Sequence, residues 1–252
     1  MARLLVRLLL IGGLALLAAA AWLRDATPEP QARRPELLDE PVQVEVRKAA
    51  FQTTVKGVTY TVQPLYTYDL YGMIVSQHSA DTWWDYLHRA WSDNLNITDL
   101  CVVWGDNVRF PGLKEISFSS GQFQCFWEWR SEEAGKAFDP YQISNNHLLS
   151  DNPSLAKKMR ATRIGDQVHF RGYLAEYSHN HGFPFKRGTS IVRTDTGNGA
   201  CETVYVEEFE NLKAGGGPWR TLFWVALALV ALGAVGWLAL PPHVDNSDFV
   251  IL

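Results

Sequence analysis

Few side chains in this chain of 252 residues could carry chemistry: three cysteines and seven histidines, with no obvious catalytic string around them. Cys201 lies within reach, in sequence, of His179 and His181, with Glu202 or Asp195 as the carboxylate that would orient the imidazole. A thiol beside a base is the minimal set for nucleophilic catalysis, so Cys201, His179 and His181 are the candidate catalytic residues. The competing reading is structural, because Gly197-Asn198-Gly199 beside Cys201 reads as a tight turn. His179 and His181 also place two imidazoles two residues apart, which a strand or loop could aim at one ion. Two ligands do not make a zinc site, and Asp195, Glu202, Asp106 and His147 could add to them only through the fold, so no metal and no cofactor is assigned.

The other two cysteines suggest a bond rather than a reaction. Cys101 and Cys125 fall in two neighbouring strand-like stretches, and a disulfide between them would stabilise by roughly 3 kcal/mol through loop entropy. Their apolar neighbours Val102, Val103 and Phe126 suit buried thiols equally well. Tryptophan is unusually frequent, with ten in the chain. Most such rings belong in a core, but Trp83 and Trp84, and Phe183 and Phe185 around Pro184, are candidates for an exposed ligand-binding platform. Asp106-Asn107 and Ser144-Asn145-Asn146-His147 concentrate short polar side chains, which we read as turns and helix caps. The strings SDN (150–152), SLAK (154–157) and KRG (186–188) have the elements of a penicillin-binding-protein site in the wrong order. A Walker loop, a G-x-S-x-G elbow, H-E-x-x-H and paired C-x-x-C do not occur.

The elements that must hold these residues read as an antiparallel, β-rich α+β domain. Residues 42–46 alternate as VQVEV, 53–62 are rich in Thr, Val and Tyr with Gly57 as a turn, and 66–75 continue in aromatics and β-branched residues. The period then changes over DTWWDYLHRAW, where Trp84, Leu87 and Trp91 fall three and four apart, predicting a short amphipathic helix. Strands are predicted again at 101–104, 115–119 and 123–129. A second helix follows Asp151-Asn152-Pro153, and closing strands are read at 165–177, 189–193 and 202–209, with Gly172 as a bulge or bend. An OB-like open barrel is one arrangement that hides the edges of such a sheet.

Both ends of the chain are apolar. Residues 221–240 (TLFWVALALVALGAVGWLAL) hold no charged or amide side chain, and 20 helical residues span about 30 Å, the thickness of a bilayer core. At the other end Arg3 and Arg7 precede LLLIGGLALLAAAAWL, a basic n-region and apolar h-region; the segment 4–23 is read as a retained anchor, although Ala18 to Ala20 also offer a cleavage pattern. A basic start held in the cytoplasm exports residues 24–218. Counting Arg24, Arg33, Arg34, Lys213 and Arg220 against a tail with only Asp245 and Asp248 votes the other way, but long domains translocate largely regardless of charge. The Pro-rich segment 24–41 reads as a linker, 42–212 as the exported domain, 213–220 as a Gly-rich joint and 241–252 as a short tail. The net charge is -4, and residues 24–218 alone carry about -5, which does not suit nucleic acid.

The stretches HSADTWWDYLH, DLCVVWGDNV, SNNHLLSDNP, GDQVHFRGYLAEY and RGTSIVRTDTGNGACETVYVEEF together resemble an uncharacterised family of bacterial membrane-anchored proteins, over roughly residues 58–210. The resemblance implies an anchor and no particular reaction, so it assigns no functional residue. The G-D-x-V-x-x-x-G-Y-L opening is also similar to strands of small OB-like barrels. The expectation is a protein of the bacterial inner membrane, in contact with the bilayer, whose periplasmic domain binds another envelope protein or a ligand without catalysis. A small envelope enzyme using Cys201 or the His179/His181 pair is the first alternative. The second is a subunit for assembling a membrane complex, to which Gly233 and Gly236 lend little because they lack the four-residue spacing of a helix-pairing motif.

Overall fold

The computed structural model describes residues 1–197 and 199–240, so the predicted turn residue Asn198 and the tail with Asp245 and Asp248 lie outside the described residues. The chain forms two units, one from both ends of the sequence and one from residues 27–215.

The first unit pairs α1 (Ala2–Leu23) with α6 (Trp219–Ala239). Both helices are long and apolar enough to cross a membrane. They run antiparallel, and small residues let them approach. A Cβ on Gly13 would meet Val230, one on Gly233 would meet Leu10, and one on Gly236 would meet Val6, at 3.0, 2.8 and 2.9 Å. The glycines of the last helix therefore face a partner within the same chain, without the motif spacing.

The second unit is α+β, with a mostly antiparallel sheet. Its strands are β1 (Val42–Glu45), β2 (Phe51–Val55), β3 (Val58–Ser79), β4 (Asn96–Val103), β5 (Ile116–Gly121), β6 (Gln124–Trp129), β7 (Ile143–Leu149), β8 (Gln167–His179), β9 (Phe185–Arg187) and β10 (Glu202–Lys213). Between them lie the short helices α2 (Leu87–Ala90), α3 (Asp106–Arg109), α4 (Glu132–Ala137) and α5 (Pro153–Arg160). The main sheet runs β1-β3-β4-β7-β10-β8-β9, with β2 joined to β3. Because the long β3 also pairs with β8, the path β3-β4-β7-β10-β8 returns to its start. All its pairings are antiparallel except β7 with β10.

Side chains alternate along each strand, and the buried apolar residues fall into three clusters. Leu70, Leu100, Val102, Trp104, Phe170 and Val204 belong to one. Met73, Cys101, Val103, Val108, Ile116 and Phe138 belong to a second, where the β5–β6 hairpin covers the sheet. Tyr60, Val62, Leu149 and Tyr177 belong to the third. Close approach fixes Gly172, since a Cβ there would fall 2.0 Å from the Tyr205 carbonyl oxygen. Helix α5 starts as the sequence suggests, with Pro153 in its first turn and the Asn152 side chain accepting from the Ser154 and Leu155 N–H groups.

Several expectations are corrected. Residues 27–41 are docked rather than a free linker. Leu37 is fully buried, the Arg34 N–H donates to Gln167 Oε1, and Trp104 Nε1–H donates to Glu40 Oε2 at 2.9 Å. One apolar anchor and a few paired polar groups offset the ordering entropy that the composition alone argues against. DTWWDYLHRAW does not form one amphipathic helix; only α2 is helical, and the side chains drawn inward are Asp85 and His88. Ser144 to His147 is not a turn but the middle of β7, every residue of which is buried. Residues 189–193 form no strand.

Candidate functional site

Strand register builds a polar row under the β5–β6 hairpin. His78 on β3 pairs with Asp99 on β4, Asp99 with His147 on β7, and His147 with Thr203 on β10. One row further along, Ser76, Cys101 and Asn145 face one another. Because side chains alternate, these groups share a face with the apolar Val103 and Ile143 yet are themselves almost wholly buried.

Burial forces the polar groups to satisfy one another. His147 Nδ1 lies 2.7 Å from Asp99 Oδ1, and His147 Nε2 lies 3.0 Å from the Arg187 guanidinium. Asp99 Oδ2 accepts the Phe123 N–H at 3.0 Å, and Asn96 Nδ2 donates to Asp99 Oδ1 at 2.9 Å. The same Asn96 Nδ2 lies 2.9 Å from His88 Nε2. His88 Nδ1 and His78 Nε2 then converge on Asp85 Oδ2 at 2.6 and 2.7 Å, and Asp85 Oδ1 accepts the His88 N–H. Burial pushes the Asp99 carboxyl up, but His147, His88 and the Asn96 amide outweigh it and hold the group down at about 2. Phe123, at φ 64°, roofs the row: its ring is 4.1 Å from His88, and the Arg187 guanidinium lies 3.8 Å over it.

His78, Asp85 and His88 are the one set among the described residues whose donor atoms converge closely enough to hold a metal ion. A small cavity of about 150 Å³ reaches His88, Asp93 and Asn96. Sequence reading missed this trio because it lies in a segment read for its tryptophans; the signal present was H-x6-D-x2-H itself.

Beside the polar row a cleft of about 750 Å³ opens between β6 and the segment leading into β10. Phe126 and Trp127 stand on one side, Asp195 and Cys201 on the other, and Ser144 and Asn145 contribute from β7. Asn145 is buried, its Nδ2 lies 3.7 Å from Cys201 Sγ, and its Oδ1 has no hydrogen-bond donor. Burial pushes the Cys201 thiol up and outweighs the opposing pull from the Asn145 contact. Next in the chain, Glu202 points to the opposite face, 2.5 Å from Arg193, and burial lifts its carboxyl to about 7 against the pull of Arg193.

The residues singled out from sequence scatter. Cys201 has Asn145 and the Phe123 carbonyl as its sulfur contacts, whereas His179 Nε2 bonds the Trp91 carbonyl at 2.8 Å and its Nδ1 accepts the His181 N–H. The structure therefore does not join Cys201 to His179 or His181. Both histidines line a separate, more open hollow of about 690 Å³ together with Phe185. Phe185 stacks on His179 with centroids 4.9 Å apart, and Phe183 lies edge-on at 5.8 Å. Trp83 and Trp84 are 81% and 56% exposed and lie edge to face. Cys101 and Cys125 are disulfide-bonded with Cα atoms 5.9 Å apart, and Cys125 borders the cleft. Of the suggested metal partners, Asp106 pairs with Arg109 at the surface, and Asp195 accepts from Ser190.

No family model matches the chain, and no curated protein or solved structure matches it either.

Proposed function

We propose that this chain is a membrane-tethered envelope protein of the bacterial inner membrane, whose periplasmic sheet domain binds a ligand without catalysis. Both terminal helices have the length and composition of spans, and a disulfide fits an oxidising compartment. An OB-like barrel is the reading of the sheet that its connectivity supports. Numbering the five ring strands in chain order gives the circuit 1-2-3-5-4-1, with the third and fifth parallel and a helix, α5, between the third and fourth.

The observation that carries the binding reading is the buried, donorless Asn145 Oδ1 in a cleft of about 750 Å³. A buried acceptor left unpaired costs roughly 1–3 kcal/mol, which a ligand O–H or N–H would recover. Phe126 and Trp127 supply ring faces, while Ser144, Glu128 and Asp195 supply short polar groups. That mixture suits a polyhydroxylated ligand such as a glycan segment, and the two carboxylates disfavour nucleic acid. The raised Cys201 thiol and its separation from His179 and His181 support binding over nucleophilic catalysis.

Full-length chain in detergent, titrated with soluble oligosaccharides and followed by tryptophan fluorescence and calorimetry, tests the proposal. Saturable binding that Asn145→Leu and Phe126→Ala each weaken at least tenfold is expected. Absence of saccharide binding, or turnover of a hydrolase or oxidoreductase substrate that depends on Cys201, would overturn it.

A further inference from the structure

We infer that His78, Asp85 and His88 form a binding site for one divalent transition-metal ion, with zinc as the best chemical match, independent of the glycan cleft. Two imidazoles and one carboxylate are the donor set that leaves a position open on zinc for water. Here the three donor atoms lie within 4.8 Å of one another, and all three residues are buried.

Without an ion, the imidazole N–H groups on His78 Nε2 and His88 Nδ1 both donate to Asp85 Oδ2, one to each lone pair of that oxygen, so all three groups already aim at one point. An ion between the three donors takes one lone pair from each as they part to metal–ligand distances, and each ring moves its proton from the contacting nitrogen to its other nitrogen. No net charge leaves the protein and no outside reactant is needed. The carboxylate also remains anchored, because Asp85 Oδ1 holds the His88 backbone N–H at 3.0 Å.

A second observation points to a guest. Asn96 is buried, faces His88 Nε2 at 2.9 Å, and its Oδ1 has no donor. That oxygen is the acceptor that an ion-bound water would use. Asn96 and His88 both line the cavity of about 150 Å³, which has room for water ligands.

Cobalt(II) is the probe. Full-length protein in detergent, stripped by chelator and titrated with Co2+, should take up one equivalent, show a visible ligand-field band, and release the ion on adding Zn2+. His88→Ala and His78→Ala should lose stoichiometric uptake, and the conservative outer change Asn96→Leu should weaken it by about 10–100-fold. The wild-type titration needs no variant to fold: no stoichiometric uptake there overturns the inference. So does a band with thiolate charge-transfer intensity, which would place the ion at Cys201, or uptake unchanged in both histidine variants. Retention of saccharide binding in His88→Ala would separate this site from the cleft.

Discussion

Asp99 and His147 face each other across β4 and β7 with Oδ1 and Nδ1 2.7 Å apart, and both side chains are fully buried. With no exposed surface, each relies on the other for its polar contact, with Asn96 and Arg187 completing the shell. His147→Leu should therefore destabilise by about 3–5 kcal/mol, because it strands a buried carboxylate. The double change Asp99→Leu with His147→Leu should recover a large part of that loss. Urea unfolding of the four proteins in a double-mutant cycle measures it, and an additive cycle would refute the pairing.

Asp99 and Glu202 pull stability in opposite directions with pH. Glu202 is raised from 4.5 to about 7 in the folded chain, so its contribution is fully present below 4.5 and is lost as pH rises through about 7. Asp99 is lowered from 3.8 to about 2, so its contribution is present above 3.8 and lost as pH falls toward 2. Melting temperature should climb on acidification from pH 7 to near 4.5 and fall below it. Glu202→Gln should flatten the upper limb, as read by thermal melts across buffers.

The bond between Cys101 and Cys125 spans 24 positions and ties the covering hairpin to β4. Reducing it, or Cys125→Ser, should cost about 3 kcal/mol. Because the hairpin carries Phe123 and one wall of the cleft, saccharide binding should weaken together with stability. Denaturant melts and titrations with and without reductant check both; a stable but unchanged binder would contradict the coupling.

Trp83 and Trp84 protrude and support little packing. Trp83→Ala should shift stability by less than about 0.5 kcal/mol, and acrylamide should quench its fluorescence readily. A larger loss of stability would show that the ring is packed.

Several elements read from local patterning are the ones the structure forms, whereas the apolar spacing in DTWWDYLHRAW gave only the short α2. The hairpin turning at Gly57, the α5 start at Asn152-Pro153, the strand around Gly172 and the two terminal helices all follow from local rules. These rules work because turn geometry, capping and hydrophobic alternation are decided by neighbours a few residues away.

The candidate sites were not legible in that way. His78, Asp85, His88, Asp99 and His147 come from three stretches that only strand pairing brings together, and buried polar residues carry no periodic signal of their own. SNNH resembles a turn because its residue types favour turns; it is a buried strand because β4 and β10 flank it and His147 finds Asp99. The segment 27–41 resembles a linker until Leu37 has a pocket to enter. Amino-acid order by itself determined the apolar ends, the strand-rich middle and its turns, all of them local consequences of side-chain chemistry. Tertiary structure alone decided which polar groups meet, because their partners lie tens of residues away and burial makes that meeting obligatory.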